Sequence, residues 1–367
     1  MGGQAAVNES LRRMVSEAGA TVISIDLSAG RGSLMWRKVS RIPKVVVGVF
    51  NLLVLLAWRR ADAVYIGVAG GYGQLYDTVF ASLTRLFRVR MFLHHGSYAY
   101  LAKRRRLTAT LVRTAGPAAT HIVLCADMGE RLIALYSRTL NVTVISNSTN
   151  IEPPNHQPKV RSSLRTIGFI SHITRSKGVF EFLDVAERVC GTCQDVRALL
   201  AGPIEDSSIR PVLMQRLRGA SWLTYIGPVG GETKSRFYAE IDAFVFPTRH
   251  ADEADPRVIN EALAHGVAVI ARGRGCISSA VNSGGGTVVR EDADFVEEAE
   301  RQLIEWHQNP VLFSSVSSAA LANAARLRAE HLPRLDALIS ALVSLPSPAP
   351  PPSQRNDDGS RGNESSR

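Results

Sequence analysis

"RHADEADPRVINEALAHG", Arg249–Gly266, sets two glutamates, Glu253 and Glu261, with seven residues between them in a loop that runs into a helix. The preceding "FVFPT", Phe244–Thr248, reads as a buried strand. The loop therefore leaves a sheet at its carboxyl end, where open α/β sheets bind ligands. Within "DPRVINEALAHG", Asp255 reads as the N-cap, Pro256 as the first helical position and Gly266 as the stop. Glu253 then lies in the loop, and Glu261 lies roughly 8 Å along the helix axis from its start. Carboxylates so placed can accept hydrogen bonds from hydroxyls on two parts of one elongated ligand, with phosphate received on the free amides of the helix start between them. An Asp255 cap would occupy some of those amides and add a negative charge. A lone glutamate pair at this spacing would read as the solvated face of an amphipathic helix.

A complement lies upstream. "GFISHITRSKGVFEFLDVAERV", Gly168–Val189, follows a strand with a loop bearing His172, Arg175 and Lys177, then Gly178 and a helix. Cations at the carboxyl end of a neighbouring strand can neutralise a diphosphate and stabilise its charge as it leaves.

Outward from this site the chain alternates buried strand patterns with helical ones. "TVISIDLS", "ADAVYIGVAG", "VRMFLHHGS", "HIVLCAD" and "NVTVISN" are strands of a first α/β unit. After the proline-rich "EPPNHQP" the pattern restarts with "RTIGFIS", "VRALLAG", "LTYIG", "AFVFP", "VAVIA" and "GGTVV". Such alternation implies a parallel sheet in each unit. The domain reading is 1–155, 160–345 and a polar, proline-rich tail over 346–367 that cannot bury a core and reads as disordered. The chain opens with "MGGQAAVNESLRRMVSEAG", two glycines leading straight into an amphipathic helix, so the expected first strand of the N-terminal domain is missing from the pattern. Gly2 and Gly3 are suited to bring backbone close to a ligand at that helix start.

A length of 367 residues suits two domains, and 45% apolar content marks a globular protein. Four cysteines at no framework spacing, with no secretory signal peptide, predict a reduced cytosolic setting without disulfides. "CGTC", Cys190–Cys193, has redox or half-zinc spacing but ends a helix and lacks a second pair. The net charge of +10 is uneven: residues 1–150 carry 19 basic and 7 acidic groups, residues 151–345 carry 21 and 23. The basic first half suits an anionic partner such as a membrane surface. Nucleic acid is not favoured, because no recognisable nucleic-acid module accompanies the charge.

From Leu164 to Val289 the chain resembles the retaining, nucleotide-sugar-dependent glycosyltransferases of family 4. "SHITRSKG" is similar to their phosphate-binding loop, and "LTYIGPVGGETKSRFYAEIDAFVFPT" to the strand, helix and strand before their signature. "EADPRVINEALAHGVAVIA" resembles the glutamate, seven residues, glutamate signature itself. The resemblance implies an α/β protein of GT-B type, with two Rossmann-like domains facing across a cleft and a closing helical stretch near 312–345 packed back on the first domain. It implies that Glu253 touches the donor sugar, Glu261 the nucleotide ribose and Lys177 the diphosphate, with retention of configuration, no cofactor and no essential metal. Asp255 and Arg257 accompany the donor site. The family usually has arginine where this chain has His172, which leaves Arg175 as the second cation, and glycine where it has Pro256, which removes one backbone donor.

The first half resembles the family's acceptor domain more loosely. In "FLHHGSYAYL" a strand exits toward the cleft, so His95, or else His94, is a candidate to contact the transferred sugar or carry a proton, with Tyr98 beside them. A packed histidine is the competing reading. "VVVGVFNLLVLLAW", Val45–Trp58, lies between Lys44 and Arg59–Arg60 and is too short to span a bilayer. It reads as a core helix or as a surface that dips into an anionic lipid interface. "HADEAD" and "DAD", Asp292–Asp294, offer oxygen ligands for a divalent ion, but "DAD" lies in an acidic turn away from any strand exit, and metal use is not expected. The functional expectation is transfer of a sugar from a UDP- or GDP-sugar to a glycan or lipid-linked glycan in cell-surface assembly, in the cytoplasm or at the inner face of the membrane. The alternatives are a non-catalytic nucleotide-sugar-binding protein, a sugar phosphorylase or an epimerase.

Overall fold

The computed structural model describes residues 3–27, 41–152 and 157–344. Gly2 and the tail lie outside them, and Gly3 begins the helix Gly3–Glu17.

Two parallel sheets form, one in each half. The first has the order β1-β2-β3-β4, from Ala63–Val68, Arg90–His95, Thr120–Val123 and Asn141–Val144. The second runs β10-β9-β8-β5-β6-β7, from β5 (Thr166–Ile170), β6 (Arg197–Ala201), β7 (Leu223–Gly227), β8 (Ala243–Phe246), β9 (Ala268–Arg272) and β10 (Gly286–Val289). Every residue of β5, β8 and β9 is buried, as expected for central parallel strands covered by helices on both faces. This is the architecture of two Rossmann-like halves.

One expected strand is absent. Residues 21–27 of "TVISIDLS" form no ladder. Ile25 and Leu27 instead pack over Gly48 of the helix Arg41–Ala57, where a Cβ would come within 2.7 Å of the Ile25 side chain. The first sheet therefore has β1 at its edge.

Helix Pro310–Val343 joins the halves. The Asn309 side chain accepts from the Leu312 amide at 3.0 Å, and Pro310 occupies the first turn, where its missing N–H costs nothing. Phe313 and Ala320 enter the core of the second half. Leu335 and Leu338 pack with Leu11, Val15, Phe92 and Ile122 of the first, so the helix does return to the first half.

The expectation of four free thiols is overturned. Cys125, just past β3, is bridged to Cys276, just past β9, with the two Cα atoms 5.7 Å apart. Two halves folded face to face bring together cysteines that no sequence spacing relates. Cys190 and Cys193 remain buried free thiols at the end of the helix Val179–Thr192.

Candidate active site

The order of the second sheet reverses between β5 and β8: the chain leaves β5 toward β6 on one side and β8 toward β9 on the other. A crevice opens at such a switch point, outside the carboxyl ends of the strands. The loops after these two neighbouring strands carry Lys177 and Glu253.

The loop after β5 is built around a short turn, Arg175–Lys177. The Thr174 side chain accepts from the Lys177 amide at 3.3 Å. Gly178 follows with φ of +86°, and a Cβ there would stand 2.7 Å from the Pro247 carbonyl oxygen. Only glycine fits where this loop crosses the end of β8. Lys177 Nζ reaches Glu253 Oε2 at 2.5 Å, and the fully buried Thr248 also donates to that oxygen, at 3.4 Å. From behind, the Cys276 amide donates to the Ala254 carbonyl at 2.7 Å, and Gly275, at φ +55°, packs on the Glu253–Ala254 backbone.

Glu261 lies on the helix Arg257–Ala264 and is nearly buried. Tyr238 OH donates to its Oε2 at 2.9 Å, Lys234 Nζ stands 2.5 Å from the same oxygen, and Arg257 lies 3.9 Å from the other. Burial next to this carboxylate pushes the Tyr238 phenol well above its usual range. Arg257 also donates to the Asn150 carbonyl at 3.2 Å.

Asp255 is not the N-cap. The helix begins at Arg257 after Pro256, with no capping side chain. The Asp255 carboxylate is drawn to the opposite half, where its Oδ2 accepts from Ser146 Oγ at 2.8 Å and from the Asn147 amide at 2.7 Å. Asn260 Nδ2 donates to its Oδ1 at 2.9 Å. Burial raises its pKa, and these hydrogen bonds oppose the rise. His172 pairs with Glu205, and Arg175 stacks 4.8 Å from the Phe180 ring centre, so neither joins the Lys177–Glu253 pair.

The "HADEAD" side chains diverge: His250 meets Ser176 and Asp252 accepts from Ser97 at 2.6 Å, while Glu253 and Asp255 go to the partners above. Among the described residues no three His, Cys, Asp or Glu side chains converge as a metal-binding group. In "DAD", Asp294 caps the helix Phe295–Gln308 and Asp292 pairs with Arg290.

On the first half, alternation along β2 sends His94 and His95 to opposite faces. His95 is wholly enclosed: its ring nitrogens meet Tyr100 OH at 3.2 Å and His121 Nδ1 at 3.0 Å, and burial drives its pKa well below the ordinary value. The structure thus places the expected proton carrier in the packed interior. His94 pairs through Nδ1 with Tyr65 OH, its Nε2 has no hydrogen-bond partner, and burial lowers its pKa to about 4. Gln4 presses against Gly96, bringing the helix start at Gly3 to the end of β2. The Tyr98 amide donates to the Asp252 carbonyl at 3.4 Å, and its hydroxyl donates to Asp127 at 3.2 Å.

Sequence reasoning missed Thr248, Lys234, Tyr238, Ser97 and the Ser146–Asn147 pair. The available signal was the spacing of Lys234 and Tyr238, one helical turn apart on Gly231–Glu240.

Residues 164–309 match the family model described as group 1 glycosyl transferases. No curated protein sequence matches the chain. Among solved structures, Anabaena HepE in complex with UDP-glucose is 17% identical at a TM-score of 0.61, covering 80% of this chain and 82% of that one. A sucrose-phosphate synthase from Thermosynechococcus elongatus is 16% identical at a TM-score of 0.67, covering 93% and 94%. A glycosyltransferase from Rickettsia africae is 12% identical at a TM-score of 0.65, covering 93% and 95%. The shared architecture is the GT-B fold.

Proposed function

We propose that the chain is a retaining glycosyltransferase that moves a sugar from a nucleoside diphosphate sugar to a glycan or lipid-linked glycan in cell-surface assembly. The observation that carries the reading is the Lys177–Glu253 pair at the β5/β8 switch point, inside the segment that matches the group 1 glycosyl transferase model. UDP is the preferred nucleotide, because the similar HepE, GtfA and TarM structures were solved with UDP or a UDP-sugar.

In this reading Lys177 holds the diphosphate. Its ammonium has three N–H donors, so one can stay on Glu253 while others meet phosphate oxygens. As the glycosidic bond breaks, negative charge grows on the departing phosphate, and a preorganised cation stabilises that state more than the ground state. Arg175 adds a second cation by leaving the Phe180 ring. Glu253 accepts hydrogen bonds from donor-sugar hydroxyls, and Glu261 accepts from the ribose hydroxyls. The acceptor hydroxyl enters from the first half, between Gly3, His94 and Tyr98, and loses its proton to the departing phosphate. The cations this reading calls on are side chains, with no metal.

Calorimetric titration with UDP and GDP tests the site. Binding of one nucleotide that Glu261→Ala abolishes supports the reading; binding unaffected by that change removes the nucleotide assignment. Release of nucleotide from a UDP- or GDP-sugar in the presence of acceptor tests the activity, and tight binding without turnover would favour a non-catalytic protein.

A further inference from the structure

The helix Arg41–Ala57 is apolar around nearly its whole circumference, yet only one side of it is packed. Gly48, Leu52 and Leu56 are buried, and Gly48 lets Phe80 approach to 3.3 Å from where a Cβ would stand. The other side presents Ile42, Val46, Phe50 and Val54 at a spacing of four residues, a single stripe that Trp58 continues just past the helix end. Val46 is 62% exposed, Phe50 63% and Trp58 68%. A helix apolar all round ordinarily sits in a core or in lipid. Among the described residues no helix is long and apolar enough to cross a membrane, so lipid contact here has to be in the plane of the interface.

Charge identifies the occupant. No acidic residue lies between Asp26 and Asp62, a stretch that holds seven lysines and arginines. Arg41 and Lys44 stand at one end of the stripe and Arg59 and Arg60 at the other, with the Arg60 guanidinium 5.2 Å from the Trp58 ring centre. A second copy of the helix, packed in either direction, would set cations against cations. An anionic headgroup layer complements both ends, with acyl chains beneath the stripe.

We propose that this face docks the protein on an anionic lipid bilayer, with the helix lying in the membrane plane and Phe50 and Trp58 inserted at the level of the headgroup boundary. The neighbouring helix Gln74–Leu86 extends the surface with exposed Leu75 and Val79. It begins just after Gly70, where a Cβ would lie 3.5 Å from Asp252 Oδ1, so the docked face borders the mouth of the candidate site. That last point gives a lipid-borne acceptor a short route to the site and rests on the proposed transfer; the docking itself does not.

The test is flotation of the full chain with vesicles of phosphatidylcholine alone or containing phosphatidylglycerol, beside Phe50→Asp and Arg59→Gln/Arg60→Gln. The expected result is binding to anionic vesicles at least tenfold stronger than to neutral ones and weakened by salt. Phe50→Asp should lose tenfold or more, and the double arginine variant roughly twenty- to thirtyfold, at about fivefold per interfacial cation. Unchanged melting temperatures establish that the variants are folded, independently of any nucleotide binding. Failure of the unaltered chain to float, or equal flotation of Phe50→Asp, overturns the proposal. So does a soluble dimer that Phe50→Asp disperses, since a second copy would then cover the face.

Discussion

Asn147 and Asp255 are bonded to each other twice across the two halves: the Asn147 amide donates to Asp255 Oδ2 at 2.7 Å, and its side-chain amide donates to the Asp255 carbonyl at 2.7 Å. Asp255→Ala removes the acceptor of a buried backbone N–H and of Ser146 Oγ while leaving both donors buried. Each unsatisfied group costs about 1–3 kcal/mol. The expected outcome is a lower melting temperature and faster proteolysis between the halves, with Asp255→Asn intermediate. An unchanged melting temperature in Asp255→Ala would show that the clasp is not made in solution.

Glu253→Ala and Lys177→Ala should each lower turnover on the order of 10²- to 10³-fold, the scale of losing one preorganised charge contact. Because the two groups share a contact, the double variant should lose much less than the sum of the single losses. Steady-state kinetics of the four proteins checks this, and strict additivity would argue that the pair does not act as a unit.

Tyr238→Phe removes one hydrogen bond to Glu261 without changing shape. Nucleotide affinity should fall about three- to tenfold, on the order of 1 kcal/mol for one buried hydrogen bond, and Lys234→Ala should fall further. Glu261→Gln sets the scale for losing the carboxylate. If Tyr238→Phe binds nucleotide as tightly as the unaltered protein, Glu261 is held by other means.

The buried histidines predict acid sensitivity. Burial holds His94 and His121 near a pKa of about 4 and His95 well below the ordinary value. All three are therefore neutral in the fold, whereas in the unfolded chain they bind protons below about pH 6.5. Stability should be flat with respect to them above pH 6.5 and fall as pH drops toward 4, by up to about 1.4 kcal/mol per pH unit per histidine. Between pH 6.5 and 5 the slope of stability against pH should be shallower in His94→Gln than in the unaltered protein.

Thiol titration of the unfolded chain without reductant should find two free cysteines, Cys190 and Cys193, and four after reduction. Closing a loop with a sequence separation of 151 residues contributes about 5 kcal/mol in the chain-entropy model. Cys276→Ser should accordingly lower the melting temperature and make the protein indifferent to reductant.

Much of this fold is written in its strand patterns. β5 to β10 overlap the apolar runs read from the sequence, most fully β5, β8 and β9, because central parallel strands are buried on both faces and need no partner information to be seen. Residues 21–27 were legible as a β-prone run, yet they form no ladder, since pairing depends on the neighbour that the sheet offers. At the site, strand-end position together with the family resemblance singled out Glu253, Glu261 and Lys177, and the fold brings Lys177 and Glu253 into contact. Asp255 was not: its local sequence suits a cap, and the competing partners Ser146 and Asn147 lie more than a hundred residues away. His95 failed for the same kind of reason, because Tyr100 and His121 close around it only once β2 and β3 pair.

The 34-residue helix Pro310–Val343 seats Phe313 in one half and Leu338 in the other. The helix spans about 50 Å, and Pro333, between those two contacts, withholds one backbone N–H from its ladder. The two halves thus share one helix as a common core element, and the gap in its ladder at Pro333 is the point at which that element yields most easily to bending. Five residues before that proline, Arg328 donates to the Ile151 carbonyl at 2.8 Å and ties the helix to the segment that joins the halves.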